Sequence, residues 1–460
     1  MAENGVVIVG GGPTGLLLAH LILAQRRPQL LPVRIFEARS DPCIPIPLYQ
    51  TRQYCIGLSA RGRDAISNVE GLWDSVQKGG VPTSQFVVHT RSRSFPLKRN
   101  PDKPSLLINQ RSLAAILTSE LRERYSKDEV EINFQHRCLS ANFNDHTVTF
   151  EGAHNSPVPY HILVGADGVQ SAVREEFIRQ RGFDFQQINM PYTFKVLHVA
   201  RPPELFPNAV HTFRRSTEDA KNKESWVPFA NFVSLFSQRG GSTVRYGCFP
   251  TPNDGMSVLI EWTEDSQPKD LLAITSATEF KAYVEKYMPP LKVSLEAAEA
   301  FLAQRPTSSM RVKCNKFFDA NGRAVLVGDA AHAMSNALGQ GCNSSLQDAL
   351  MLSRFLKEES DISLSLEKYS AKQVVEGHAA AYLSENAFPQ VAWLLPFFFF
   401  GNLASAFLSK VLPPSVLKPP IQSLCSETLI PYAEIVKMHQ LWLSFVELTT
   451  RLSKKNGPNS

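Results

Sequence analysis

What this sequence lacks narrows its chemistry first. Its seven cysteines, Cys43, Cys55, Cys138, Cys248, Cys314, Cys342 and Cys425, are scattered without a single C-x-x-C pair. That argues against a zinc site, an iron–sulfur cluster or a disulfide framework and fits a reducing compartment. No basic run stands out in a formal charge of +5 over 460 residues, so nucleic acid is not an expected partner. There is no internal repeat and no long low-complexity tract. The first apolar run begins within a few residues of Met1, so no secretory leader is expected and the cytoplasm is the expected location. Hydrophobic residues at 43% and charged residues at 20% describe an ordinary globular chain, long enough for two or three domains.

Three stretches carry the chemistry. In the first, Val6 to Val9 reads as a buried parallel strand, Gly10-Gly11-Gly12-Pro13-Thr14-Gly15 follows at once, and Leu16 to Ala24 reads as a helix. Gly10 permits a tight turn, Gly12 lets a pyrophosphate approach the backbone, and Gly15 lets helix and strand pack closely. A second strand, Val33 to Phe36, ends at Glu37, 22 residues beyond Gly15, where a carboxylate can accept from adenosine ribose hydroxyls. The correct flanks turn a weak glycine pattern into a dinucleotide site, for NAD or FAD equally.

The second stretch, Ile162 to Arg174, repeats the theme: a buried strand ends on Ala166-Asp167-Gly168 and a helix follows. The third, Ala324 to Leu350, is the one around which the chain is organised. A short apolar strand stops at Gly328-Asp329, and a helix enters at Gly341-Cys342-Asn343 with Leu346, Ala349, Leu350 and Leu356 on its apolar face. Asp329 is placed to meet a sugar hydroxyl. The glycines leave first-turn N–H groups free to face an electron-rich ligand edge. Asp167 and Asp329 thus both sit at carboxyl ends of strands, where such sheets bind ligands.

Other positions are more open. Arg52 is placed either to neutralise a pyrophosphate or to form an exposed salt bridge; Tyr54, Ile56 and Leu58 after it alternate as a strand. Gln85 to Leu97 reads as a basic edge hairpin. Arg111 opens a helix with Leu113, Ile116, Leu117 and Leu121 inward, and a cation at a helix start points to an anionic partner. From Gln180 to Arg305 the strand-like stretches Tyr192–Val199, Phe229–Phe236, Thr243–Phe249 and Met256–Trp262 suggest an inserted antiparallel sheet. No second glycine fingerprint accompanies it. The segment from Asn386 to Ser409 has no charge in 24 residues; prolines interrupt it, leaving membrane contact or a buried lid as readings. Pro431 to Thr450 reads as a last helix.

In order and spacing, GGGPTG, GADGVQSAVR and VLVGDAAHAMSNALGQGCN resemble the class A flavoprotein monooxygenases of the para-hydroxybenzoate hydroxylase type. Within that group, RQYCIGLSARG (Arg52 to Gly62), INQRSL (Ile108 to Leu113) and TLIPYAEIVKMHQLW look most like kynurenine 3-monooxygenases and the tryptophan hydroxylases of violacein synthesis. The resemblance implies an α/β protein: a Rossmann-like FAD-binding domain with an inserted antiparallel β-sheet substrate domain and a helical C-terminal region. Its expected pieces are 1–76, 104–175 and 306–376 for FAD, 77–103 and 177–305 for substrate, and 377–460 at the C-terminus. It implies FAD held by Gly10, Gly12, Pro13, Thr14, Gly15, Glu37, Arg39, Arg52, Arg111 and Asp329, with the flavin ring over Gly339, Gly341, Cys342 and Asn343. Asp167 is implied at the junction of FAD and transient NAD(P)H binding.

The implied activity is insertion of one atom of O2 into an aromatic or electron-rich small molecule, with NAD(P)H as co-substrate and a flavin hydroperoxide as oxidant. No acid–base residue is needed to make that oxidant, and His332 is expected to pack or support rather than to transfer protons. Rival readings on the same fold are a halogenase or prenyl reductase, the former lacking its W-x-W-x-I-P signature here, and a non-catalytic flavin-binding protein. Two departures stand out. Asn336 replaces a proline common three residues before Gly-Gln-Gly. The arginine near Phe86 and tyrosine near Leu97 that hold a substrate carboxylate in kynurenine-type enzymes are missing, with Arg91 or Arg93 as substitutes from a shifted register.

Overall fold

The structure, a computed structural model, describes residues 4–50, 54–89, 94–98, 100–152, 156–216, 243–263, 267–288, 290–389, 391–394, 397–398, 400–401 and 418–455. Arg52, Arg91, Arg93, the expected strand Phe229–Phe236 and most of the uncharged segment after Gly401 lie outside these residues.

A six-stranded sheet is built around Val6–Val9, whose four residues are all buried. Parallel neighbours Val33–Glu37 and Ile162–Gly165 flank it, followed outward by Val130–Phe134 on one side and Ala324–Leu326 on the other. Burial on both faces explains why Val6–Val9, Ile162–Gly165 and Ala324–Leu326 are continuous apolar runs. The helices Pro13–Leu23 and Gly341–Glu358 pack together over one face. All three strands that precede the sequence motifs end at the same edge of this sheet, which is where their turns meet.

The second lobe is a seven-stranded sheet in the order Thr307–Cys314, Phe185–Ala200, Gly255–Thr263, Thr243–Thr251, Ala209–Ser216, Gln85–His89, Ser94–Lys98. It is antiparallel except where Ala209–Ser216 runs parallel to Gln85–His89. The expected basic hairpin, Gln85–His89 and Ser94–Lys98, does form its edge. Thr307–Cys314, at the start of the expected 306–376 piece, pairs with Phe185–Ala200. The sheet is backed by helices Ala277–Tyr287 and Leu295–Ala303, whose Phe280 and Phe301 stack at 4.4 Å in a separate core. The strand-like reading of this region did not include those helices.

The expected single helix from Pro431 to Thr450 is two, Tyr432–Met438 and Gln440–Lys455, broken at His439. Ending the first helix there lets Tyr432, Ile435 and Leu443 share one small core with Leu338. Among the described residues no helix is long and apolar enough to cross a membrane.

Candidate functional site

The strand ends, the glycine turn and one face of the second lobe enclose a single cavity of about 640 Å³, within the usual range for a ligand site. Of the residues expected at a cofactor, Gly10, Gly12, Pro13, Thr14, Glu37, Arg39, Asp167, Asp329, Gly339, Gly341 and Cys342 all line it. Arg111 faces a narrow side recess shared with Gly12, Glu37 and Arg39, where its guanidinium donates to the carbonyls of Asp41 (3.1 Å) and Ile44 (2.8 Å).

Two glycines behave as their positions require. Gly10 has φ +110°, and a Cβ there would lie 2.3 Å from the Ala166 carbonyl oxygen. A Cβ on Gly15 would lie 2.1 Å from the Gly10 carbonyl oxygen, so Gly15 does not line the cavity but lets helix and strand touch. Around Gly12 nothing stands within 4 Å of a Cβ position; that space is open to a ligand.

Glu37, at the end of its strand, is held from both sides. Its Oε2 accepts from the Gly11 amide at 2.8 Å, and Oε1 accepts from the Arg39 amide and Nε, each at 2.8 Å. Burial alone would raise its pKa, but the Arg39 and Gly11 donors outweigh burial and hold the carboxyl below its ordinary value. It is an ionised acceptor with lone pairs left for a ribose.

The two strand-terminal acids differ. Asp167 Oδ2 accepts from the Ala172 and Val173 amides, 2.8 and 3.2 Å away, at the start of helix Ala172–Ile178, while its buried Oδ1 has no partner. Asp329 opens a one-turn helix and is exposed into the cavity, where no described donor reaches it. Protein around the cleft strips water from both carboxyls and raises their pKa values; at Asp329, His332 opposes and Asp348 adds to that rise.

Beneath Asp329, the buried Asp348 organises the turn. Its Oδ2 accepts from the Gly328 amide (2.8 Å) and faces His332 Nε2 at 2.5 Å, and its Oδ1 accepts from Gln373 Nε2 at 2.6 Å. His332 therefore supports the turn, as its sequence position suggested. Burial lowers its pKa, but Asp348 prevails and the imidazole titrates above its ordinary value.

Helix Gly341–Glu358 starts without a side-chain cap or an acid in its first turn, and so does Pro13–Leu23. Both N-termini open on the cavity, leaving two sets of unpaired N–H groups and two positive dipole ends facing one space. Asn343 is not part of that wall. Its amide accepts from Ser59 N (2.8 Å) and donates to the carbonyls of Gly57 (2.8 Å) and Gly339 (2.9 Å). A Cβ on Gly62 would lie 2.6 Å from Asn343 Oδ1, so the Gly57-to-Gly62 stretch is shaped to receive this amide.

The cavity is also lined by residues that the sequence motifs do not assign: Tyr54, Phe249, Leu259 and Met334, the last of them 3.9 Å from a Cβ position on Gly341. Tyr54 meets Phe194 of the second lobe edge to face at 5.9 Å, and removal from water pushes its phenol up to about 12. Gln110 and His136 line the cavity as well. Tyr54 and Gln110 sit inside motifs that had been singled out; Phe249 and His136 carried no sequence signal.

These residues fit a flavin nucleotide. An orphaned buried Asp167 oxygen, an ionised Glu37, open space above Gly12 and Gly339, and two uncapped helix starts are the complements of hydroxyls, a pyrophosphate and an electron-rich ring.

The sequence pattern of the family described as "FAD binding domain" matches residues 3–373. Kynurenine 3-monooxygenase of Sus scrofa is 25% identical over 395 residues, covering 83% of this chain and 75% of that protein. The Neurospora crassa protein of the same name is 27% identical over 416 residues, covering 82% and 76%. Among solved structures, 2-methyl-3-hydroxypyridine-5-carboxylic acid oxygenase superposes with a TM-score of 0.62 at 19% identity, over 89% of this chain and 94% of that one; this is likeness of fold. A family match across most of the sequence, on a cavity built to take the cofactor, means that the chain belongs to the FAD-binding domain family and is an FAD-dependent monooxygenase using NAD(P)H and O2.

Proposed function

We propose that this enzyme hydroxylates a small aromatic substrate held between the flavin and the wall formed by Tyr54, Phe249, Leu259 and Met334. The observation that carries the reading is that Tyr54, Phe249 and Leu259 line the same cavity as the helix start at Gly341. In this reading Gly10, Gly12, Pro13 and Thr14 receive the pyrophosphate. Glu37 accepts from the adenosine ribose with Arg39 beside it, Asp329 accepts from the ribityl side, and Asp167 borders the space the cofactor would fill. Bound FAD supplies hydride acceptance and oxygen transfer. The protein contributes N–H donors at Gly341 and Cys342, preorganised for the charge that reduction brings, and a mostly apolar lining that orients the substrate.

The test is anaerobic stopped-flow reduction of the bound flavin by NADH and NADPH across a panel of aromatic amino acids, phenols and indoles. Kynurenine, named by the curated relatives, comes first. Faster reduction with one class identifies the substrate; no acceleration by any compound, with no product by mass spectrometry, removes the hydroxylase reading in favour of a non-catalytic flavoprotein. At the C-terminus, Trp393, Phe397 and Phe400 are 58%, 66% and 59% exposed, which favours contact of the 386–409 segment with a membrane surface over a buried lid. Replacing these three with serine and following vesicle co-sedimentation tests that contact.

A further inference from the structure

We infer that Tyr432 is a positioning residue for the loop at the flavin, so that the C-terminal helices set the properties of the cofactor site from behind it. The inference rests on the flavoprotein reading above. Residues 338–341 alternate in direction: Gly339 and Gly341 line the cavity, while Leu338 and Gln340 turn away from it. Both outward side chains are taken up by the C-terminal region. Leu338 packs in the small core with Leu424, Cys425, Tyr432 and Ile435. Gln340, 2% exposed, accepts at Oε1 from the Tyr432 hydroxyl at 2.9 Å and donates from Nε2 to the Leu338 carbonyl at 3.3 Å.

Tyr432 is itself fixed from two directions. Its amide donates to Glu376 Oε2 at 2.6 Å. Its ring lies 3.9 Å under the Arg61 guanidinium. Arg61, buried in the cofactor lobe, also donates to the carbonyls of Cys425 (3.2 Å) and Ile430. The Tyr432 phenol therefore couples a well-anchored helix start to Gln340, which holds the turn before helix Gly341–Glu358 from one side while Asn343 holds the Gly339 carbonyl. Gly339 has φ +63° and no atom within 4 Å of a Cβ position, so its side of the turn is open to the cavity, and the side chains that hold the turn, Asn343 and Gln340, act from the other side. N–H donors act on a ligand's charge only as well as they are held in place.

The test compares the wild-type enzyme with Tyr432→Phe, which keeps the ring over Arg61 and removes only the hydroxyl, and with Gln340→Met, which breaks the same bond from the loop side. In cofactor-stripped protein, hydrogen exchange at residues 338–341 should quicken roughly tenfold in either variant, as loss of a buried hydrogen bond allows. In FAD-loaded protein, the visible flavin spectrum should shift, the midpoint potential should fall and the Kd for FAD should rise roughly 5–10-fold. The double variant should match the single ones, since both remove one interaction. Wild-type exchange in Tyr432→Phe, or an unchanged potential at full loading, overturns the proposal. If the wild-type protein takes up no flavin, the cofactor reading fails, and the exchange measurement still decides whether Tyr432 holds the loop.

Discussion

Asp167 and Asp329 follow parallel neighbouring strands of one sheet, Ile162–Gly165 and Ala324–Leu326, and in the sequence they look like two copies of one device. The structure separates them. Asp167 gives one oxygen to the first turn of its own helix, and the other is buried without a partner. Asp329 gives neither to the protein, and its turn is held from below by Asp348, 19 positions on in the chain. An acid at a strand end is thus a cap or a ligand group according to whether another carboxylate relieves it of the structural task. At Asp329 the protein supplies that second carboxylate and leaves the first, desolvated and unpaired, to be satisfied by hydroxyl donors of the cofactor.

The largest effect should come from removing the support. Asp348→Ala strands a buried His332 and frees the Gly328 amide and Gln373, and we expect a loss of about 3–5 kcal/mol in urea unfolding. Next, Asp329→Ala should leave urea unfolding of the apoprotein unchanged or slightly improved while raising the Kd for FAD roughly 10–100-fold, the worth of hydrogen bonds to a charged group. Fluorescence titration with FAD measures this; tight binding would place the ribityl contact elsewhere. Smaller still, Asp167→Ala should cost about 1 kcal/mol of stability through the lost cap at Ala172 and Val173, with less change in FAD affinity than at Asp329. Equal losses of affinity at the two acids would erase the distinction drawn here.

The legible parts of this molecule were the local ones. The strand, glycine turn and helix from Val6 to Leu23 declare themselves because burial, positive φ at Gly10 and close packing at Gly15 each demand a particular residue type within a few positions. Asp329 and Asp167 were legible for the same reason. Asn343 was placed on the right helix, but its amide reaches 286 residues back to Gly57, a contact that no local pattern encodes. The Tyr432–Gln340 bond spans 92 residues and was equally hidden, although both residues lay in motifs already noticed. In the second lobe, aromatic and β-branched runs identified the strands. The parallel pairing of Ala209–Ser216 with Gln85–His89 depends on long-range docking, and helices Ala277–Tyr287 and Leu295–Ala303 were masked by a strand-rich neighbourhood.

The gentlest probe of the comparison is pH, because the support of the Asp329 turn and the acid of the glycine turn titrate in opposite senses. His332 has its folded pKa raised by Asp348, so its stabilisation is complete below the unfolded histidine value near 6.5 and is lost as pH rises through the higher folded value. Glu37 has its folded pKa lowered by Arg39 and Gly11, so its stabilisation is complete above the unfolded carboxyl value near 4.5 and is lost as pH falls through the lower folded value. The apoprotein should therefore lose stability on the alkaline side through the one turn and on the acid side through the other. His332→Gln should flatten the alkaline limb alone, and Glu37→Gln should flatten the acid limb without touching the alkaline one, in urea midpoints measured between about pH 2 and 9. An alkaline limb that survives His332→Gln would mean that the imidazole is neutral throughout, and that Asp348 holds the Gly328 turn by accepting hydrogen bonds without an ion pair.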